Sequence, residues 1–158
     1  GGGGRIAVVL TASDTFGSVA MSAAGGDYAS ANCDGAAGTV YREKASNGSG
    51  RGGLTVDNKN YSTSSGVWAE VPSFVSGSAA ALRDVALTIT NKAAVALTTN
   101  VVMGNLFLRT NSTTRLYLNG FTLTLRTEFH SDWGDTNWVT YGGGEIVWAS
   151  TGTLFIMR

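Results

Sequence analysis

The aliphatic residues of this chain occur in short alternating sets and never in a helical stripe, and this limits the fold more than any other feature. Ile6, Val8 and Leu10 form one set, Val19 and Met21 another, followed by Leu54 and Val56, by Val67, Ala69 and Val71, and by Leu87 and Ile89, with polar or small residues between them. A period of two places each set on one face of a strand, because successive side chains of extended backbone point to opposite sides. Twenty-two glycines and abundant Ser, Thr and Asn leave few good helix formers. The best helical segment, Ser76 to Val85, is long enough for a turn or two. The chain is expected to be all-β.

The spacing of the sets gives an expectation for how the strands are arranged. Leu87, Leu106, Leu123 and Ile146 follow one another at intervals of 19, 17 and 23 residues, each with an apolar partner two positions on. Further pairs, Val95/Leu97, Leu116/Leu118 and Leu154/Ile156, lie within these intervals. A repeat near twenty residues suits a parallel β-helix (β-solenoid), whose coils stack so that inward apolar side chains form ladders along one core. On this reading Leu106, Leu123 and Ile146 lie in neighbouring layers. The rival is an antiparallel β-sandwich or jelly roll, whose strands recur at similar spacing. Asn119-Gly120 serves either fold: the dipeptide is a strong hairpin signal, and its tolerance of positive φ also suits a solenoid corner. With 158 residues, the chain reads as a single domain, residues 1–158, glycine-rich to about residue 53 and more regular from about residue 54 on.

Composition removes several classes of function. Eleven basic and eleven acidic residues balance, and charged residues make up only 14% of the chain, so there is no cationic excess to hold nucleic acid. No apolar run reaches the roughly 18 residues of a membrane-spanning helix, so membrane insertion is not expected. Cys33 is the single cysteine, which excludes an internal disulfide or a cysteine zinc site and reads as a buried or idle thiol. Asp14, Asp27 and Asp34 sit near glycines but lack the repeated spacing of calcium-binding turns. The glycine runs at Gly1–Gly4 and Gly50–Gly53 lack the helix and the Lys-Ser/Thr of a phosphate-binding loop, and read as turns and close-packed corners. One histidine and no nucleophile elbow give no Ser-His-Asp arrangement. No cofactor and no metal are expected, and the chain is read as non-enzymatic.

The stretch "GNLFLRTNSTTRLYLNGFTLTLRT", Gly104 to Thr127, resembles a strand, turn and L-x-L-N-G-[FY]-T-L-T segment of the β-helical regions of large bacterial surface proteins, autotransporter passengers and adhesins among them. "GGGGRIAVVL", "GSVAMSAAGGD", "GAAGTVYREK" and "GGLTVDN" are similar to a segment order in exported proteins of that kind. The resemblance covers about two thirds of the chain and implies architecture and an extracellular, bacterial cell-surface location. It carries no catalytic residues across.

Two groups of residues carry the functional expectations. The first is "EFHSDWGDTNW", where His130, Asp132, Trp133, Asp135 and Trp138 form a candidate glycan- or ligand-binding loop, two carboxylates and a histidine beside two aromatic platforms. Read without function, the same loop is solvated and its tryptophans cover a core edge. Tyr61, Trp68 and Tyr117 are further aromatics able to stack on sugar rings. The second group is Arg5, Ile6, Val8 and Leu10 with Leu154, Phe155 and Ile156, apolar segments read as uncapped ends that invite assembly. The expected function is an exported structural protein assembling head-to-tail with itself, by strand addition, into a fibre or adhesin stalk. The alternative is a glycan-binding module or polysaccharide lyase-like enzyme, with a cell-surface glycan as partner.

Overall fold

The computed structural model describes residues 1–28, 33–71, 79–108, 114–127, 139–150 and 153–157. The chain is all-β, as its alternation requires. Its strands are β1 (Arg5–Val9), β2 (Thr39–Glu43), β3 (Gly53–Asp57), β4 (Ala69–Val71), β5 (Ala86–Thr90), β6 (Ala94–Leu97), β7 (Val101–Met103), β8 (Asn105–Leu108), β9 (Arg115–Tyr117), β10 (Thr122–Leu125), β11 (Val139–Thr140), β12 (Glu145–Ser150) and β13 (Thr153–Met157). The segment expected to be helical contributes one short 3-10 helix, Ala79–Leu82. Val19 and Met21 lie outside any strand, and Val19 is exposed, so their alternation does not mark a buried face.

Three sheets hold these strands. The first has the order β1-β2-β3-β5-β8, the second β4-β6-β9-β11, and the third β7-β10-β12-β13. The consecutive strands β5, β6 and β7 each enter a different sheet, and β8, β9 and β10 visit the three sheets again in the same order. Pairing is parallel everywhere among the described strands except at β2–β3 and β12–β13.

Register explains the core. In the first sheet Leu54, Leu87 and Leu106 stand opposite one another, as do Val56, Ile89 and Leu108. In the second the column is Ala69, Val95, Leu116 and Val139. In the third Val101, Leu123 and Ile146 form one column, and Met103, Leu125 and Trp148 the next. All these residues belong to one hydrophobic cluster. Leu87, Leu106, Leu116, Leu123 and Leu125 have no exposed surface at all.

One expectation is corrected here. Leu87 and Leu106 are neighbours in the first sheet, and Leu123 and Ile146 in the third, but Leu106 and Leu123 lie in different sheets and share no ladder. The interval between them leads from β8 in the first sheet through β9 in the second to β10 in the third, so it does not mark neighbours in one sheet.

The corners have a common chemistry. Asn58–Tyr61, Thr90–Ala93, Leu118–Phe121 and Tyr141–Gly144 are four-residue turns, each closed by a backbone bond from its last N–H to its first C=O at 2.8, 3.0, 2.9 and 2.7 Å. Both central residues have positive φ in every case: Lys59 and Asn60, Asn91 and Lys92, Asn119 and Gly120, Gly142 and Gly143. That is the type I′ signature. The first two turns both lead from the first sheet toward the second and touch through Asn60 N–H to Asn91 C=O at 3.1 Å. The last two both lead from the second sheet to the third. Asn119-Gly120 is therefore a corner between sheets and not a hairpin.

The glycine-rich beginning packs in another way. Segments 1–4, 23–26 and 35–38 are each bonded to both of the others: Gly3 N–H to Ala36 C=O at 2.8 Å, Gly26 N–H to Gly1 C=O at 2.8 Å, and Gly38 N–H to Ala23 C=O at 2.6 Å. Three mutually bonded backbones leave no room inside for a side chain. A Cβ on Gly3 would lie 1.9 Å from the Ala23 carbonyl oxygen, and one on Gly38 1.8 Å from that of Gly4. These glycines are close-packed, as expected, but in lines of neighbouring backbone and not at turns or corners.

Candidate functional site

The loop residues His130, Asp132, Trp133, Asp135 and Trp138 lie outside the described residues. The assembly residues are placed. Arg5, Ile6 and Val8 are on β1, the outermost strand of the first sheet, with Arg5 exposed and Ile6 and Val8 half-buried. Leu10 follows, half-buried, its N–H bonded to Glu43 C=O at 2.9 Å. Leu154, Phe155 and Ile156 are on β13, which pairs antiparallel with β12 in the register Leu154 with Ala149, Phe155 with Trp148 and Ile156 with Val147.

The most site-like surface is on the outward side of the second sheet. Alternation turns Ala69, Val95 and Leu116 into the core, which puts Trp68, Ala94 and Arg115 in one outward column and Glu70, Ala96 and Tyr117 in the next. Strand neighbours are about 4.8 Å apart and residues two apart along a strand about 6.7 Å, so Trp68 and Tyr117, two rungs and one column apart, start roughly 12 Å from each other at the backbone. Their rings nevertheless meet, with centroids 5.2 Å apart and planes tilted by 40°. The alanines of the middle rung permit this, since a larger side chain at residue 94 or 96 would stand between the rings. Ala96 is fully buried although it belongs to an outward column.

Beside the pair is a cavity of about 240 Å³ lined by Ser62, Thr63, Ser64, Trp68, Lys92, Arg115 and Tyr117 among others. The Lys92 ammonium donates to Ser62 Oγ at 3.0 Å, and Arg115 Nη1 donates to the Thr114 carbonyl at 3.0 Å. Lys92 reaches this position from the second central place of its type I′ turn, at φ 62°. Trp68 also walls a second cavity of about 280 Å³, which includes Arg5, Thr39 and Glu70. Concave surface therefore continues past both sides of one indole.

Trp68 and Tyr117 were singled out by the sequence, with Tyr61, as aromatics able to stack on sugar rings, but not as a contacting pair, and Lys92 and Arg115 carried no signal. Only the register of the second sheet, with Ala69 opposite Val95 and Ala94 opposite Arg115, brings the group together.

The early aspartates act on backbone. Asp34 accepts from Tyr28 N–H at 2.8 Å and Ser62 N–H at 2.7 Å. Asp14 accepts from Ser46 N–H at 2.7 Å, and the hydrogen bonds from Ser46 hold its carboxyl below the ordinary value. Among the described residues, no three His, Cys, Asp or Glu gather as metal ligands. Cys33, expected to be a buried or an idle thiol, is exposed, which removes the first of these. No helix among the described residues is long and apolar enough to cross a membrane.

Comparisons with protein-family models, with curated proteins and with solved structures find no match to this chain.

Proposed function

We propose that the chain is a three-faced parallel β-solenoid and that it serves as a non-enzymatic structural unit of an exported bacterial fibre or adhesin stalk. The observation that carries the reading is the repeated circuit of the sheets: β5, β6, β7 and then β8, β9, β10 enter the first, second and third sheets in turn. Matched positions support a coil of somewhat over twenty residues. In the second sheet they are 69, 95, 116 and 139, and in the third 101, 123 and 146. Dominance of parallel pairing favours a solenoid over an antiparallel sandwich, because parallel neighbours require long crossovers. A stack of this kind has a repeating axis, and its side chains form layers without a central cleft, which suits extension more than catalysis.

Growth needs an edge. β1 is the outermost strand of the first sheet among the described residues, and Val9 on it is 51% exposed. An unpaired strand edge presents N–H and C=O groups to any second strand, and a head-to-tail contact that does not close makes a filament. Sedimentation and negative-stain microscopy at rising concentration test this. End-to-end assemblies are expected, and Val9→Lys, a charge on the edge, is expected to abolish them while leaving the melting temperature within a degree or two. A compact monomer at every concentration would overturn the assembly reading.

A further inference from the structure

We propose that the Trp68–Tyr117 groove binds an anionic saccharide, a pyranose that bears a carboxylate, as a function separate from any role of the strand edges. The inference rests on the outward columns of the second sheet and does not depend on the solenoid reading or on assembly.

The chemistry of the lining selects the ligand. A sugar ring has an apolar face of C–H groups and a rim of hydroxyls, and it is held where an aromatic face lies beside donors and acceptors. Trp68 and Tyr117 supply the aromatic surface at 5.2 Å centroid separation. Ser62, Thr63 and Ser64 supply hydroxyls around the same cavity. Lys92 and Arg115 border it as well, and Lys92, bonded to Ser62 Oγ at 3.0 Å, is held at the hydroxyl rim. Two cations at the rim of an aromatic platform favour a ring carrying negative charge over a neutral one.

Size narrows the choice further. A cavity of about 240 Å³ is smaller than the roughly 300–1,000 Å³ of sites for drug-sized ligands. It takes one ring, and an extended ligand must continue elsewhere. The second cavity on the other side of Trp68, with Arg5 and Glu70 in its wall, provides that continuation. The ligand is therefore a segment of an acidic oligosaccharide, with one carboxylate toward Lys92 and Arg115 and the next ring passing over the indole.

The backbone at Lys92 supports a use for its side chain. Left-handed φ costs a non-glycine residue on the order of 1 kcal/mol, and the equivalent place in the turns at the other corner is glycine, Gly120 and Gly143. A lysine held at φ 62° is the sort of strained position found where a side chain must be aimed. Single-stranded nucleic acid also stacks on aromatic side chains beside cations, but the balanced charge of the chain gives no track for a phosphate backbone.

The test uses the intact chain and defined probes: oligomers of galacturonate, glucuronate and mannuronate, their neutral hexose counterparts, and an oligothymidylate, with binding read by calorimetry and by the Trp68 indole signal in NMR. At least one oligouronide is expected to bind at least tenfold more tightly than its neutral counterpart and to shift the Trp68 resonance. Trp68→Ala is expected to reduce that affinity tenfold or more. Lys92→Met, at a half-buried turn outside the hydrophobic core and hence a readable variant even if Trp68→Ala fails to fold, is expected to bring acidic and neutral sugars to within about twofold of each other. The proposal is overturned if no oligouronide binds at millimolar concentration, if neutral and acidic sugars bind alike, if oligothymidylate binds more tightly than every sugar, or if Lys92→Met leaves the preference intact.

Discussion

Asn58 has no exposed surface, yet its side chain is fully occupied. Its Oδ1 accepts from Gly25 N–H at 3.0 Å, and its Nδ2 donates to the carbonyls of Gly35 at 3.2 Å and Tyr61 at 3.0 Å. One amide thus ties two of the glycine lines to the first corner of the sheets. Removing it leaves a buried N–H and two carbonyls short of partners, and an unsatisfied buried polar group costs about 1–3 kcal/mol. Asn58→Ala is expected to lower unfolding stability by that order in denaturant titration. Tyr41 makes a pH prediction at the same scale. Burial, reinforced by donation of its hydroxyl to the Glu43 carboxylate, pushes it up to about 12. The folded state therefore favours the protonated phenol. The associated stability is complete below the unfolded value of about 10 and is lost as pH rises toward 12. Melting temperatures between pH 9 and 12 are expected to fall, with a smaller fall in Tyr41→Phe. Neither role was legible in the sequence: Asn58 is one of many polar residues, and only the approach of segments distant in the chain makes it a buried hub.

At the scale of elements, alternation identified most strands, because inward positions had to be apolar for a single core to close. Leu54/Val56, Leu87/Ile89 and Leu123/Leu125 all lie on strands with their side chains buried. It failed at Val19 and Met21, where two apolar residues at the right spacing lack a neighbouring strand to pair with. Turn chemistry was half legible. Asn119-Gly120 announces positive φ at both central positions, but positive φ alone does not decide whether the next strand returns antiparallel or turns into another sheet. Strand pairing decides it, since β9 pairs with β6 and β11 while β10 pairs with β7 and β12, and the two strands that flank the turn do not pair with each other. The glycine lines were the least legible, because a run of glycines reads as a turn or a corner until the three segments are seen to touch. Gly38→Ala tests them: its Cβ would meet the Gly4 carbonyl oxygen at 1.8 Å, and overpacking against rigid backbone costs about 1–3 kcal/mol. The expected result is a destabilisation in that range, whereas Gly17→Ala, with open space around its Cβ, bears only its own backbone strain.

For the whole molecule, the spacing of aliphatic pairs carried the idea of a stack but misassigned its members. Leu87 to Leu106 is a true step from one rung to the next, while Leu106 to Leu123 runs partway round the sheets. Intervals alone cannot separate a step between neighbours in one sheet from a step between sheets when the strands are all short and of similar length. The candidate groove was hidden for the same reason, since Trp68 and Tyr117 meet only after two rungs are stacked between the same corners. The circuit is tested most directly by disulfide trapping in a Cys33→Ser background. Thr124 and Val147 are opposed on neighbouring parallel strands of the third sheet, within the reach of a disulfide. Phe107 and Thr124 stand in different sheets, although their separation matches the misleading interval. The Thr124→Cys/Val147→Cys pair is expected to oxidise readily with its fold retained, and the Phe107→Cys/Thr124→Cys pair to stay reduced. Ready closure of the second pair, with the first remaining open, would contradict the three-sheet circuit.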